Sequence, residues 1–433
     1  MTGNKEGKLL PPIRIEKLVT GGAGLGFSKG AVFIPLTAPG DLVVPEGVRK
    51  AKGVFFAEPG TLLEPGSERR EPPCPWFGEC GGCLWMHLDY PSQVRWKEAI
   101  SSEAFSRIGN FREFRFESVW PSSMETGYRH RARLQVSGGK VGFFRRGTRK
   151  VVEWDRCLLL PEPLNVAFGV LRSLFRQSPP PIGLRSCEGA VSPVDGSVSF
   201  HWVLDGERVF GKELRRGMDR LEDGLAEHSI RVAGQVLRSS KGKVLAARGG
   251  PLRMGSPGSE LLASPGVFFQ VNPPVNRALV GRTLDVLKGR GISWLLDLYC
   301  GIGNFSIPAA LAGIRVDGVE SNPSAVRDAR TVGCRNCCFH SADAGRFLNG
   351  MAGQTEWWDA VLVDPPRTGL SLQLTRRLVK APVGTLIYVS CDPGTLARDL
   401  AILTEGGYLV EKAELFDMFP QTPHGEILVV MGR

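Results

Sequence analysis

Leu295-Leu296-Asp297-Leu298-Tyr299-Cys300-Gly301-Ile302-Gly303-Asn304-Phe305 is the stretch whose reading decides the fold. An apolar run ends on an acid, and glycines that let backbone approach a ligand follow it. This is the pattern of a buried strand delivering a nucleoside-binding loop. No Lys-Ser/Thr follows, so it is not a phosphate-binding P-loop. The G-x-G-x-x-G of a dinucleotide site is incomplete as well. Working outward, strands are expected at Val316–Val319, Ala360–Val363, Gly384–Val389 and Glu426–Met431, with helices starting at Asn304, Pro323, Leu370 and Pro393. Such alternation from about Gly266 argues for a doubly wound, mostly parallel α/β sheet, Rossmann-like, with its ligand at the carboxyl ends of the strands.

Those strand ends carry chemistry. Glu320 is suited to clasp ribose hydroxyls, and Asp343 to receive an adenine amino group, which favours S-adenosylmethionine over a plain glycine-rich turn. Asp364-Pro365-Pro366-Arg367 sets a carboxylate on a segment stiffened by two prolines, either a base-entry loop or a structural one. Ser390-Cys391-Asp392-Pro393 places a thiol at a helix start, where amide N–H groups are expected to favour the thiolate. Carbon 5 of uracil is too weak a nucleophile to take a methyl group until a thiolate adds at carbon 6. A base must then remove the carbon-5 proton. Within His424-Gly425-Glu426, Glu426 is the first candidate for that base and His424 the second.

The 433 residues predict two to four domains. Hydrophobic residues make 42% and charged residues 23%, an ordinary globular mix that excludes wholesale disorder. No apolar run is long enough to span a bilayer, and Met1–Lys8 is polar with no apolar signal region behind it, so a cytoplasmic protein is expected. Lys and Arg total 54 against 44 acids, a net charge of +10 that permits a nucleic-acid partner.

Ile13–Val19, Ala31–Pro35, Asp41–Val44 and Lys52–Ala57 read as short strands, with Gly21–Gly26 as a turn cluster. They suggest a small OB-like barrel over residues 1–67. Glu64–Pro73 reads as a linker, and Tyr90–Gln93 opens a helix through Ala104. Residues 68–265 are expected to form a β-rich central domain with one amphipathic helix near Asn165–Arg176, residues 93–124 packing on the catalytic domain. Residues 266–433 form that catalytic domain.

Ten cysteines in a chain with no export signal point to metal binding or catalysis before disulfides. Cys74, Cys80 and Cys83 are spaced C-x5-C-x2-C, and Cys157 is a candidate fourth thiolate; zinc and an iron–sulfur cluster both suit such a set. The spacing opposes a radical-generating cluster. Cys334, Cys337 and Cys338 read as coincidence. Between Tyr128 and Val151, Arg129, Arg131, Arg133, Lys140, Arg145, Arg146, Arg149 and Lys150 occur without an acid, interleaved with Tyr128, Phe143 and Phe144. Cations on phosphates and a ring under a base are the expected RNA use, with a solvated face as the alternative.

Asp297–Phe305, Asp364–Arg367, Ser390–Pro393 and His424–Glu426 together resemble the RNA uracil-5 methyltransferase family, over nearly the whole chain. The barrel is similar to the TRAM domain of its ribosomal-RNA members. The resemblance implies Cys391 as nucleophile and Glu426 as general base. It implies cofactor contacts from Gln270, Tyr299, Asn304, Glu320, Asp343 and Asp364, and a structural [4Fe-4S] cluster on Cys74, Cys80, Cys83 and Cys157. Tyr299 stands where the family commonly has Phe. Gly425 stands where a β-branched residue is usual, which is expected to loosen Glu426. The expected activity is 5-methyluridine formation in 23S ribosomal RNA by a monomer that flips the target uridine into its site. Transfer RNA is the alternative substrate, and a non-catalytic RNA-binding iron–sulfur assembly factor the alternative class.

Overall fold

Alternation of buried and exposed residues along Ile13–Leu18 makes the first strand (β1) one wall of a barrel. Gly24–Phe27 (β2), Ala31–Ile34 (β3), Leu42–Ala51 (β4) and Val54–Glu64 (β5) close it in the order β1-β2-β3-β5-β4. This is a computed structural model, and it describes residues 10–112, 114–205, 211–256, 259–351 and 357–433; Met1–Lys8 lies outside them. The barrel core is Ile13, Ile15, Val32, Ile34 and Val43. Gly24 and Gly26, expected in a turn, lie in β2. A Cβ would sit 2.2 Å from Thr37 Oγ1 at Gly24 and 2.4 Å from the Arg14 carbonyl at Gly26, so these glycines serve close packing.

The barrel belongs to one of two compact units, which joins the described residues up to Glu103 with Phe144–Arg149 and Phe419–His424. Helix α1 (Tyr90–Ile108) begins where Asp89 Oδ1 accepts from the Ser92 amide, and it runs past the expected end at Ala104.

The second unit holds Ala104–Phe143, Lys150–Met418 and Gly425–Arg433. Strand β6 (Ser118–Trp120) comes first. Then follow β7 (Arg131–Ser137), β8 (Lys140–Phe144), β9 (Val151–Val152), helix α2 (Glu162–Gln177), β10 (Leu184–Val191) and β11 (Val198–Leu204). Helix α3 (Gly211–Ala226), β12 (Val232–Ser239) and β13 (Val244–Gly249) complete a seven-stranded sheet ordered β13-β12-β11-β10-β7-β8-β9. Two helices stand where one was expected. Met218, Leu221 and Leu225 bury one face of α3, but charges and Gly217 and Gly224 obscure that period in the sequence. A hairpin, β14 (Leu252–Ser256) and β15 (Ser259–Ala263), leads to helix α4 (Pro273–Gly289).

The remaining elements are β16 (Trp294–Leu298), α5 (Ser306–Leu311), β17 (Arg315–Glu320), α6 (Pro323–Thr331), β18 (Cys337–Ser341), α7 (Ala344–Gly350), β19 (Ala360–Val363), α8 (Leu372–Lys380), β20 (Thr385–Ser390), α9 (Pro393–Glu405), β21 (Leu409–Phe416) and β22 (Glu426–Gly432); they include the expected strands and helices and add β18, α7 and β21. The eight-stranded sheet has the order β18-β17-β16-β19-β20-β22-β21-β6. It is parallel from β18 to β20, and β22 runs antiparallel to both neighbours. Its core runs through Leu296, Leu298, Val361, Val363, Leu386, Tyr388, Val429 and Met431. Phe105, Phe111, Phe114 and Phe116 pack on that same core. Among the described residues no helix is long and apolar enough to cross a membrane.

Candidate active site

The parallel strands end on one edge of the sheet and deliver Asp297, Glu320, Asp364 and Cys391 there, while antiparallel β22 begins at Glu426 on the same edge. Chain reversal at β22 is what brings a late carboxylate beside the earlier strand ends. Asp297 is fully buried, and its Oδ2 accepts from Ser306 Oγ at 2.5 Å. Burial, with Glu320 nearby, pushes its carboxyl up to about 7.

Tyr299 holds a left-handed backbone, φ +66°, unusual for a bulky residue and concentrated in the glycine loop where a ligand would approach. Gly303 is also left-handed, and a Cβ there would meet Ile307 at 2.8 Å. Glu320 accepts from the Gly301 amide at 3.2 Å and the Asn322 amide at 2.6 Å, which ties the second strand end to the loop. Gln270, Tyr299, Asn304 and Asp364 line one cavity, together with Asn276 and Phe305. Asn304 and Asn276 exchange reciprocal amide hydrogen bonds of 2.8 and 3.0 Å across it. Upstream, Asn272 caps α4 and donates to Ser122 Oγ at 3.1 Å, which fixes the segment carrying Gln270. Asp343 caps α7, accepting from the Arg346 amide at 3.0 Å, and its charge reaches Tyr299. Glu320 and Asp343 do not line this cavity; a mostly apolar lining with one carboxylate, Asp364, and the amides of Gln270, Asn276 and Asn304 fits a nucleoside bearing a positively charged sulfur.

The Asp364 loop is pinned by α9. Thr395 Oγ1 donates to the Arg367 carbonyl, and Arg398 donates to the Thr368 and Leu370 carbonyls, each at 3.1 Å. Asp364 is held up to about 7 by burial and then by Asp297. Glu426 is buried, and its carboxyl is raised well above the usual range by burial and by Asp364. A Cβ at Gly425 would lie 3.1 Å from Leu415 and 3.2 Å from the Phe416 carbonyl, so glycine suits the close pairing of β22, where Glu426 stands opposite Phe416. Among the described residues no hydrogen-bond partner meets Glu426 Oε2, so the backbone is fixed while the carboxylate is not tied.

The expected thiolate at Cys391 is corrected. Burial, then Glu426, push the thiol up to about 12, with Asp364 and Asp392 adding to the rise. Asp392 caps α9, its Oδ1 accepting from the Thr395 amide at 2.8 Å. Arg367 is the cation that opposes the rise at both Cys391 and Glu426. Arg367 directly follows the Pro-Pro pair, and that position was the signal in the sequence for its part here. His424 belongs to the other unit, its ring edge-on to Phe419 at 6.5 Å.

In the first unit the cysteine loop winds back on itself, the Cys80 amide donating to the Trp76 carbonyl at 2.9 Å. Cys80 lies near Cys74, and the Gly82 N–H donates to its sulfur, although burial still raises the thiol. Among the described residues, the potential metal ligands that gather within 4.8 Å of one another do not include Cys74, Cys80 and Cys83, so the expected cluster site is not assembled in this structure. Cys157 lies in the second unit, where its amide donates to Asn165 Oδ1 at 3.0 Å.

The basic run is less available than its sequence suggests. Buried Glu188 pairs with Arg131 at 3.0 Å and Arg133 at 2.9 Å, and Arg146 pairs with Glu58. Tyr128 is fully buried and Phe143 stacks on Trp154, so Tyr128 is excluded as a platform for a base. Arg145 and Arg149 line an open basic hollow with Gly81 and Leu84.

Comparison with known proteins agrees with this geometry. The family described as tRNA (Uracil-5-)-methyltransferase matches residues 261–338 and 344–433. An uncharacterized RNA methyltransferase of Aquifex aeolicus is 32% identical, covering 97% of each chain. The 23S rRNA (uracil(1939)-C(5))-methyltransferase RlmD of Aeromonas hydrophila is 32% identical over 95% of this chain and 93% of its own. The crystal structure of Pyrococcus abyssi tRNA (uracil-54, C5)-methyltransferase in complex with S-adenosyl-L-homocysteine superposes with a TM-score of 0.78 at 25% identity, covering 98% of this chain and 100% of that one. A chain with this fold, these strand-end acids and relatives of this kind belongs to the S-adenosylmethionine-dependent RNA (uracil-5-)-methyltransferase family.

Proposed function

We infer that this chain methylates carbon 5 of a uridine in 23S ribosomal RNA through a covalent bond from Cys391. The observation that carries the reading is electrostatic: Cys391, Glu426, Asp364 and Arg367 act on one another at the sheet edge where Asp364 also lines the cavity. S-adenosylmethionine, held by Gln270, Tyr299, Asn304, Glu320, Asp343 and Asp364, supplies a methyl group on a positively charged sulfur. The Cys391 sulfur, as thiolate, bonds to carbon 6, and carbon 5 gains the nucleophilicity to take that methyl. Glu426, ionised in the RNA complex, accepts the carbon-5 proton. The sulfur–carbon 6 bond then breaks with its electron pair returning to Cys391, and Glu426 passes its proton to solvent. Arg367 favours the ionised forms of both Cys391 and Glu426. Burial that makes a resting thiol inert protects it until substrate arrives.

Relatives named for 23S rRNA uracil 1939 match along most of their length, which supports ribosomal RNA and that uridine. The transfer-RNA family match and the Pyrococcus structure favour the alternative substrate. RNA tritiated at uracil carbon 5 decides between them by cofactor-dependent tritium release. The reading expects release from 23S fragments, none from transfer RNA, and none from either with Cys391→Ala. Release from transfer RNA alone overturns the ribosomal assignment, and release from no RNA overturns the enzyme.

Cys74, Cys80 and Cys83, with Cys157, hold a structural [4Fe-4S] cluster in this reading, supported by the C-x5-C-x2-C spacing and the family resemblance. The N-terminal barrel acts as a TRAM-type RNA platform in a cytoplasmic monomer that carries out ribosomal RNA processing. Iron and sulfide each near four per chain, lost in Cys80→Ser, is the expected composition; zinc instead of iron contradicts it.

A further inference from the structure

Three side chains outside the active site converge on the outermost pair of strands in the eight-stranded sheet. Strands β17 and β18 are parallel, with Asp317 paired to Cys338 and Val319 to His340. Paired residues point to the same face, as do residues two apart on one strand, so Asp317, Cys338 and His340 share a face. A carboxylate oxygen, the Cys338 sulfur and an imidazole nitrogen lie within 4.8 Å of one another. Asp317 Oδ1 lies 3.1 Å from His340 Nε2. Its Oδ2 accepts from Trp294 Nε1 at 2.8 Å and Trp358 Nε1 at 2.9 Å, which fixes the carboxylate plane. The imidazole packs against Phe347 at 4.8 Å, while Cys338 is exposed.

We propose that Asp317, Cys338 and His340 form a binding site for a borderline divalent cation, zinc in the first instance. One sulfur, one nitrogen and one oxygen donor suit zinc and not magnesium or calcium, which take oxygen alone. The two indole N–H groups serve as the supporting shell that a ligating carboxylate needs. Three protein donors leave a fourth position for water. The cation replaces the proton shared between His340 and Asp317. It ties edge strand β18 to β17 just ahead of Glu320 and Asp343. The spacing Cys338-x-His340 is uninformative in sequence because the third donor comes from the neighbouring strand.

The test uses the full chain and reads alkylation of Cys338 by iodoacetamide, located by peptide mass spectrometry. With free zinc at about ten times its Kd, alkylation is expected to slow about tenfold, and magnesium is expected to have no effect. Asp317→Asn keeps an oxygen for both indoles, and His340→Ala removes a side chain that is a third exposed; each is expected to abolish the protection. Protection absent from the parent protein, or persisting in His340→Ala because Cys334 and Cys337 hold the zinc with Cys338, overturns the assignment.

Discussion

Replacing Asp364 by asparagine is expected to stabilise the cofactor-free protein while disabling it. Burial and the neighbouring Asp297 hold the Asp364 carboxyl near 7 in the folded chain, against 3.8 as reference for the unfolded one. Below the reference value both states are protonated and the group is neutral in its effect. As pH rises, the unfolded chain ionises first, so the folded state loses ground until pH passes about 7. A rise of roughly three pKa units corresponds to about 4 kcal/mol at the most. Asp297 shares in raising that value, so a gain of about 2–4 kcal/mol is expected for Asp364→Asn near pH 8. The gain should shrink to about zero near pH 4. Urea unfolding of cofactor-free parent and variant, followed at several pH values, measures it. A variant less stable than the parent near pH 8, or a difference that does not shrink on acidification, refutes the reasoning.

Other expectations rest on the same groups. Affinity for S-adenosylmethionine should rise as pH passes upward through about 7, because Asp297 and Asp364 then ionise opposite a cationic ligand; calorimetry should find little such trend for S-adenosylhomocysteine, which lacks the sulfonium charge. Arg367→Ala should lower the single-turnover rate about tenfold per pKa unit added to the Cys391 thiol, with Arg367→Lys restoring part of it; an unchanged rate removes Arg367 from the account. His87, fully buried and pushed down to about 4 by burial and Arg69, stays neutral while the unfolded chain protonates. Stability should therefore fall as pH drops from about 6.5 to about 4, by about 3 kcal/mol, and unfolding of His87→Gln should lack that component.

The sheet was legible because its strands are buried on both faces and read as apolar runs, each followed by a loop with its own chemistry. Ala360–Val363 was predicted with both ends right, and Pro323 and Pro393 mark helix starts because proline suits the first turn. Strand β18 was hidden by its position at the edge, where Cys337-Cys338-Phe339-His340-Ser341 is half polar. Glycine misled in the barrel, where Gly24 and Gly26 mark close approach inside a strand rather than a turn. The thiol's resting state was illegible too. Its helix-start position suggests activation, but the carboxylates that oppose it arrive from β19 and β22, which no local window contains. Likewise Tyr128–Val151 contains no acid, yet Glu188 on β10 neutralises two of its arginines.

Trapping the protein on RNA that carries 5-fluorouridine at the target position tests the central claim most directly, since fluorine cannot leave as a proton does. With S-adenosylmethionine present, digestion and mass spectrometry should find the methylated nucleotide attached at Cys391, in the peptide that follows Ser390. Attachment at another residue, or methylated RNA formed with no attachment at all, contradicts the account.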